Sequence, residues 1–319
     1  MLSASAGAYL LPLKSRSTTP VHQQTSTTRV IPTPSVPGPA SPADFTFCLN
    51  MATLRGHNLG FIKELETASR AGFRSVEIWI DSLQHFIDGG GTPSQASQHL
   101  QDLGITVENA IGFAEWIPDD EAARKKGLAQ LQREMDMLAR IGCKRIAAPP
   151  TGATHTGKLD LRVVAERYRG ILELGDQSGV VPQLEMWGFS NNLSRVSDVL
   201  YAAMESGHAS ARVLLDIFHI YKGGSSVETL PLMGKTAVGI LHMNDYTEKF
   251  TSAAITDADR VHPGDGIAPI KRILSILRTP DRSLILSEEV FNPAYYRQDA
   301  LVVAKTALAK MKALTESMG

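Results

Sequence analysis

What most constrains this chain is a strict alternation of short apolar runs with segments of helical periodicity. From Asp44 onward, eight runs rich in aliphatic and β-branched residues recur, at 45–50, 74–80, 105–112, 144–150, 180–187, 211–218, 237–245 and 283–290. Helical patterns follow them at 58–71, 93–103, 119–141, 160–178, 193–206, 226–233, 268–278 and 297–315. In the first of these, Leu59, Ile62, Leu65 and Ala68 fall at helical spacing, and Gly72 supplies a stop. Pro93 opens the second and Gly104 closes it. Short strands that alternate with helices pair in parallel and are covered on both faces. Eight such units over about 270 residues predict an α/β fold, a single (β/α)8 TIM barrel spanning 44–319. A doubly wound open sheet is the structural alternative. It is disfavoured because no glycine-rich phosphate turn follows the first run.

Residues 1–43 break the pattern. They are rich in Ser, Thr and Pro, contain no acidic residue, and carry Lys14, Arg16 and Arg29. The stretch VIPTPSVPGPASP suits neither helix nor sheet, so this extension is expected to be disordered or a targeting segment. The expected location is the cytoplasm, with organellar targeting or export left open by the extension. The whole chain has a formal net charge of −1, which gives no global field favouring nucleic acid or membrane. No apolar stretch reaches the roughly 20 residues needed to cross a bilayer. The two cysteines, Cys48 and Cys143, have no CxxC or Cys/His spacing and read as buried reduced thiols.

Four of the later runs end in metal-ligating residue types. They are Glu185 in VVPQLEMW, Asp216 in RVLLDIFH, His242 in VGILHMND and Glu289 in SLILSEEVF. In a parallel barrel the carboxyl ends of all strands share one mouth, so these four side chains converge from neighbouring strands five to eight. Two glutamates, an aspartate and a histidine suit a divalent ion such as Mn²⁺, with Mg²⁺, Co²⁺ and Zn²⁺ as alternatives. Alternation puts the adjacent Glu288 on the opposite face from Glu289.

Residues 45–315 resemble the xylose-isomerase-like TIM-barrel superfamily of sugar isomerases and epimerases. The resemblance rests on LEMWG around Glu185, the D-x-x-H pair Asp216 and His219, HMNDY around His242, DRVHPGDG at 259–266 and S-x-E-x-F at 287–291. It implies that Glu185, Asp216, His242 and Glu289 are the metal ligands and that Glu185 and Glu289 also transfer protons. It further implies substrate contacts from His219 and from Arg260, the latter otherwise free to pair with Asp257 or Asp259. Lys222 in HIYKGG is a candidate for an anionic substrate group, with plain solvation as the other reading. Trp187, with Trp79 and Trp116, stands near a strand end, where a ring can wall a sugar pocket or pack in the core. The GDG turn before a helix is a weak phosphate signal. Glu77 and Glu108, on the second and third strands, have no role that sequence can assign.

The implied activity is a metal-dependent isomerase or epimerase of a sugar or related keto-polyol. The proton is removed beside a metal-bound carbonyl, through an enediolate. A dehydratase acting on a keto-inositol or dehydroshikimate-like substrate uses the same site and is the alternative; a noncatalytic sugar- or metal-binding barrel is a minor one. The expected partners are a small-molecule substrate and a further copy of the chain, as a dimer or tetramer, with no nucleic acid and no membrane. The nuclease branch of the superfamily is disfavoured: it needs extra histidines, and Val261 follows Asp259-Arg260 here.

Overall fold

Each of the eight apolar runs forms a strand in the structure, a computed structural model that describes residues 45–234 and 236–318. The strands are β1 (Phe45–Asn50), β2 (Ser75–Trp79), β3 (Thr106–Ile111), β4 (Arg145–Ala148), β5 (Val181–Glu185), β6 (Val213–Asp216), β7 (Val238–Met243) and β8 (Leu284–Glu288). All ladder pairs are parallel, in the order β3-β2-β1-β8-β7-β6-β5-β4. β3 and β4 stand side by side at the two ends of that order, so the barrel closes without a ladder between them. Side chains bridge the seam. Arg145 donates across it to the Glu108 carbonyl at 2.9 Å and carboxylate at 3.2 Å, while from the other side the Ser75 hydroxyl of β2 donates to Glu108 Oε1 at 2.9 Å. Glu108 is therefore a seam residue. The expected extension, 1–43, lies outside the described residues.

The helices are α1 (Phe61–Ala71), α2 (Ile80–Asp88), α3 (Pro93–Leu103), α4 (Glu121–Arg140), α5 (Leu161–Ser178), α6 (Val196–Glu205), α7 (Ile217–Lys222), α8 (Ile270–Leu277), α9 (Pro293–Tyr296) and α10 (Ala300–Glu316). Local chemistry sets their ends. Thr92 and Gln95 form a capping box ahead of α3, and Gly104 closes that helix at φ 61°, a left-handed conformation that costs glycine little. The expected helix at 226–233 is a 3₁₀ segment, Val227–Leu232, with Pro231 inside it. α2 and α7 were not expected. Both begin where a strand's apolar run continues without interruption into the next turn, so the strands end earlier than the runs suggest.

Strand periodicity divides the core in two. Residues facing outward pack against the helices in one large cluster. Inward-facing Cys48, Ile111, Ala147, Leu214, Ile240 and Ile285 form a separate small cluster. Asp216, His242 and Asn50 each follow a member of it by two positions, and so lie on the same face nearer the strand carboxyl ends. Both cysteines are buried and free. Among the described residues, no helix is long and apolar enough to cross a membrane.

Candidate metal centre

Strand register brings the candidate ligands together. Asp216 on β6 is paired directly with His242 on β7, and Glu185 on β5 sits opposite Leu214, two residues before Asp216. Glu289 follows β8, and its amide donates to the Met243 carbonyl at 3.0 Å. From His242 Nδ1, the distances are 3.2 Å to Glu289 Oε2, 3.7 Å to Asp216 Oδ2 and 3.8 Å to Glu185 Oε1. One ligand atom from each of Asp216, His242 and Glu289 lies within 4.8 Å of the others. Glu185 lies outside that three-residue group, with its Oε1 3.8 Å from His242 Nδ1. Glu288 points the other way, with its carboxylate 2.6 Å from His262 Nδ1, as strand alternation requires.

The donor set fits a cation. Glu77, Glu185, Asp216 and Glu289 are all buried here, and Arg260 is the fixed positive charge among them. Glu185 Oε2 and His242 Nδ1 are buried without a hydrogen-bond partner. Such orphaned atoms are rare in native interiors and call for an ion or ordered water. Burial pushes the Glu185 carboxyl up to about 8, and the nearby Glu289 and Asp216 charges push the same way against His242. Burial also opposes ionisation of Asp216, yet Arg260 holds it well below the usual carboxylate range. His242 is raised despite burial, because Glu289 and Glu77 surround it.

Arg260 is 1% exposed and bridges the cluster. It donates to Asp216 at 2.8 Å, Glu289 at 3.0 Å and Asp257 at 2.5 Å, and its guanidinium lies over the rings of Phe218 and Phe291. Its Nη2 also lies 3.3 Å from His219 Nε2. Burial, aided by the Arg260 charge, lowers His219 to about 4, so the ring is neutral at pH 7. Because arginine can only donate, Nε2 accepts and the proton sits on Nδ1, which has no partner. The D-x-x-H spacing has a local cause: Asp216 caps α7 by accepting the His219 amide at 3.0 Å. Asn244 donates to both oxygens of Asp216 at 3.1 Å and fixes the carboxylate plane.

A cavity of about 210 Å³ opens above the cluster. Glu185, Glu289, His219, Arg260 and Asp257 supply its polar wall. Trp79, Phe113, Trp187, Phe189 and Phe291 form an aromatic collar, with neighbouring ring centroids 5.1 to 6.2 Å apart. Trp187 and Trp79 therefore wall the cavity, whereas Trp116 is a core residue whose indole donates to the Pro149 carbonyl at 2.7 Å.

Two expectations are corrected. Lys222 does not line the cavity, because its ammonium donates to the Ala253 and Ile255 carbonyls at 2.8 and 2.9 Å and pins the long loop after β7. The GDG turn offers no phosphate cradle. Its amides at Gly264 and Gly266, with that of Ala268, already donate to the Asp245 carboxylate at 3.0, 3.0 and 2.8 Å. A Cβ at Gly266 would stand 2.4 Å from Asp245 Oδ1, so glycine is what lets the turn close on that carboxylate. Sequence reasoning also missed Asn50, Asn109 and Asn244 around the cluster. The only signal was a polar residue inside or just after a strand.

A family model described as xylose isomerase-like TIM barrel matches residues 65–314. The chain belongs to this family. Within the xylose isomerase-like barrels, the inosose isomerase of Halalkalibacterium halodurans is 28% identical over 277 residues, covering 82% of this chain and 93% of that one. The 3-dehydroshikimate dehydratase of Pseudomonas putida is 24% identical over 250 residues, covering 73% of this chain and 36% of its own length. Among solved structures, an IOLI protein with a bound zinc atom shares the fold with a TM-score of 0.78 at 23% identity, covering 86% of this chain and 99% of that one. The chain is an enzyme of this xylose isomerase-like superfamily.

Proposed function

We propose that the chain is a divalent-metal-dependent isomerase or epimerase of an uncharged keto-polyol, working by proton transfer at the carbon beside a carbonyl. One observation carries this reading: two buried glutamates, Glu185 and Glu289, reach the cavity from either end of the ligand set, with Arg260 and neutral His219 beside them. Glu185, Asp216, His242 and Glu289 would hold the ion, with Mn²⁺ the first candidate and Zn²⁺ supported by the zinc-bound IOLI protein. When bound, a divalent ion supplies Lewis-acid stabilisation of negative charge developing on a carbonyl oxygen.

The protein's own groups account for the rest. One glutamate takes the proton beside the carbonyl, and the other returns one to the opposite face or to the neighbouring carbon. His219 and Arg260, both lining the cavity, hold the enediolate oxygens. The aromatic collar stacks on C–H faces of the substrate and excludes water.

An uncharged substrate is favoured by the accounting of cations. Among the described residues, Arg260 is the one Lys or Arg that lines the cavity, and Asp216, Glu289 and Asp257 already share it. A phosphate or carboxylate on the substrate would enter a site with surplus negative charge. This makes inosose, the ketone named in the Halalkalibacterium halodurans relative, a better fit than the anionic dehydroshikimate of the Pseudomonas putida relative. Dehydration of the same neutral ketone is the second reading, supported by that dehydratase relative.

Turnover of inosose and neutral ketohexoses in D₂O, followed by NMR, tests the proposal. Deuterium is expected at the carbon beside the carbonyl in the wild type. It is expected to fall by at least about 10²-fold in Glu185→Gln and Glu289→Gln. Full activity in both variants refutes the proton-transfer roles. An ultraviolet-absorbing unsaturated ketone in place of an isomer identifies the dehydratase.

A further inference from the structure

Beside the ligand cluster lies a buried polar layer that the proposed chemistry leaves without a task. Asn50 on β1, Glu77 on β2 and Asn109 on β3 are all fully buried. Glu77 Oε1 accepts from Asn109 Nδ2 at 2.7 Å, and Oε2 accepts from Asn50 Nδ2 at 3.2 Å. The carboxylate also faces His242 Nε2, at 3.0 Å from Oε2 and 3.3 Å from Oε1. The Asn50 amide further donates to Glu289 Oε1 at 3.1 Å, while its carbonyl oxygen accepts from the Trp79 indole at 3.2 Å.

A carboxylate inside a barrel is expensive to bury, and a leucine would fill the space more cheaply. The geometry explains why one is there. An ionised carboxylate can only accept, so the His242 nitrogen facing it must carry a proton. That leaves Nδ1, which has no hydrogen-bond partner and faces Glu185, Asp216 and Glu289. Asn50 ties the same carboxylate to Glu289 through Oε1, leaving Oε2 on the side of the cluster.

We propose that Glu77 is a positioning residue that locks His242 as the Nε2–H tautomer, so that its Nδ1 lone pair is presented to a divalent ion, with Asn50 holding Glu289 in the same frame. The inference rests on the metal-dependent reading above. Hydrogen bonding to the far nitrogen of a ligating histidine fixes its tautomer and raises its basicity, and loss of such a partner costs about 10–100-fold in metal affinity.

Two measurements decide it. Zn²⁺ affinity is measured by competition with a chromophoric chelator for the wild type, Glu77→Gln and Glu77→Leu. Losses of about tenfold or more are expected, larger for leucine, which cannot accept a hydrogen bond. Long-range ¹H–¹⁵N correlation spectra of the Zn²⁺-loaded wild type are expected to show the His242 proton on Nε2. Wild-type protein that binds no Zn²⁺ overturns the metal reading and this inference with it. Tight wild-type binding with unchanged affinity in both variants overturns only the role of Glu77. Should neither variant be recovered folded, the tautomer decides alone: a His242 proton on Nδ1 refutes the proposal.

Discussion

Arg260→Met in metal-free protein is the most direct test of how the cluster is held together. Methionine keeps an apolar stem against Phe218 and Phe291, whose rings lie 4.3 and 5.1 Å from the guanidinium. It removes the charge that now sits 2.8 Å from Asp216 and 3.0 Å from Glu289. Removing one partner of a buried ion pair costs about 3–5 kcal/mol, because the other charge is left uncompensated. For a domain of this size, 1 kcal/mol moves the melting temperature by about 2–4 °C. The variant is therefore expected to melt roughly 10 °C below wild type in EDTA, within a range of about 6–20 °C. The scan belongs at pH 8, where protonating the stranded carboxylates is least available as an escape. A divalent ion at a hundred times its dissociation constant adds about 2.7 kcal/mol to any protein that binds it only when folded. Because that ion would neutralise the same carboxylates, Mn²⁺ or Zn²⁺ should raise the melting temperature of the variant by more than that of the wild type. Melting within about 2 °C of wild type in EDTA would refute the idea that Arg260 balances the cluster. Equal metal-induced shifts would show that the ion and the arginine do not share those carboxylates.

Other perturbations test the surrounding frame. Gly127→Ala in α4 should destabilise, against the gain of about 1 kcal/mol that helix propensity alone gives, because the new Cβ would lie 2.1 Å from the Glu115 carbonyl oxygen; a raised urea midpoint refutes this. Burial raises the Glu134 carboxyl above its ordinary 4.5, so the folded state binds the extra proton, and the stability it lends below 4.5 is lost as pH rises through the raised value. Glu134→Gln should therefore gain on wild type between pH 4 and pH 8 in paired urea titrations, and a pH-independent difference contradicts the assignment. Lys222→Met frees the loop at Ala253 and Ile255, and faster limited proteolysis within 250–259 is expected, with ligand-cluster metal affinity little changed.

The alternation of runs was enough to locate every strand because a barrel strand is apolar on both faces and short. The ends were harder to see. Ile217 and Phe218 continue the apolar run of β6 but already belong to α7, since Asp216 turns the chain by capping the His219 amide. That Glu185, Asp216, His242 and Glu289 lie near one another was legible because each ends or closely follows a run of known direction. Glu77 was not, although it is just as buried: SVEIW says that a carboxylate points inward and says nothing of the histidine 165 residues later that it meets. Lys222 misled for the opposite reason. Its place one turn after His219 suggested the cavity, and only the path of the long loop supplies the carbonyl oxygens that take its ammonium.

The missing ladder between β3 and β4 gives the barrel the mechanics of a split ring. Parting these strands breaks the contacts of Arg145 with Glu108 and strains the Trp116–Pro149 hydrogen bond just beyond them, but breaks no run of ladder bonds. From β4 through β8 and round to β3 the ladder is unbroken, and the four strands that carry or lead into the candidate ligands lie inside that continuous arc. If the seam is where the barrel opens, amide exchange is expected to be faster in β3 and β4 than in β6–β8, which carry Asp216 and His242 and lead into Glu289. A substitution that breaks the Arg145–Glu108 contact is therefore expected to lower overall stability more than it changes metal affinity at the distant cluster.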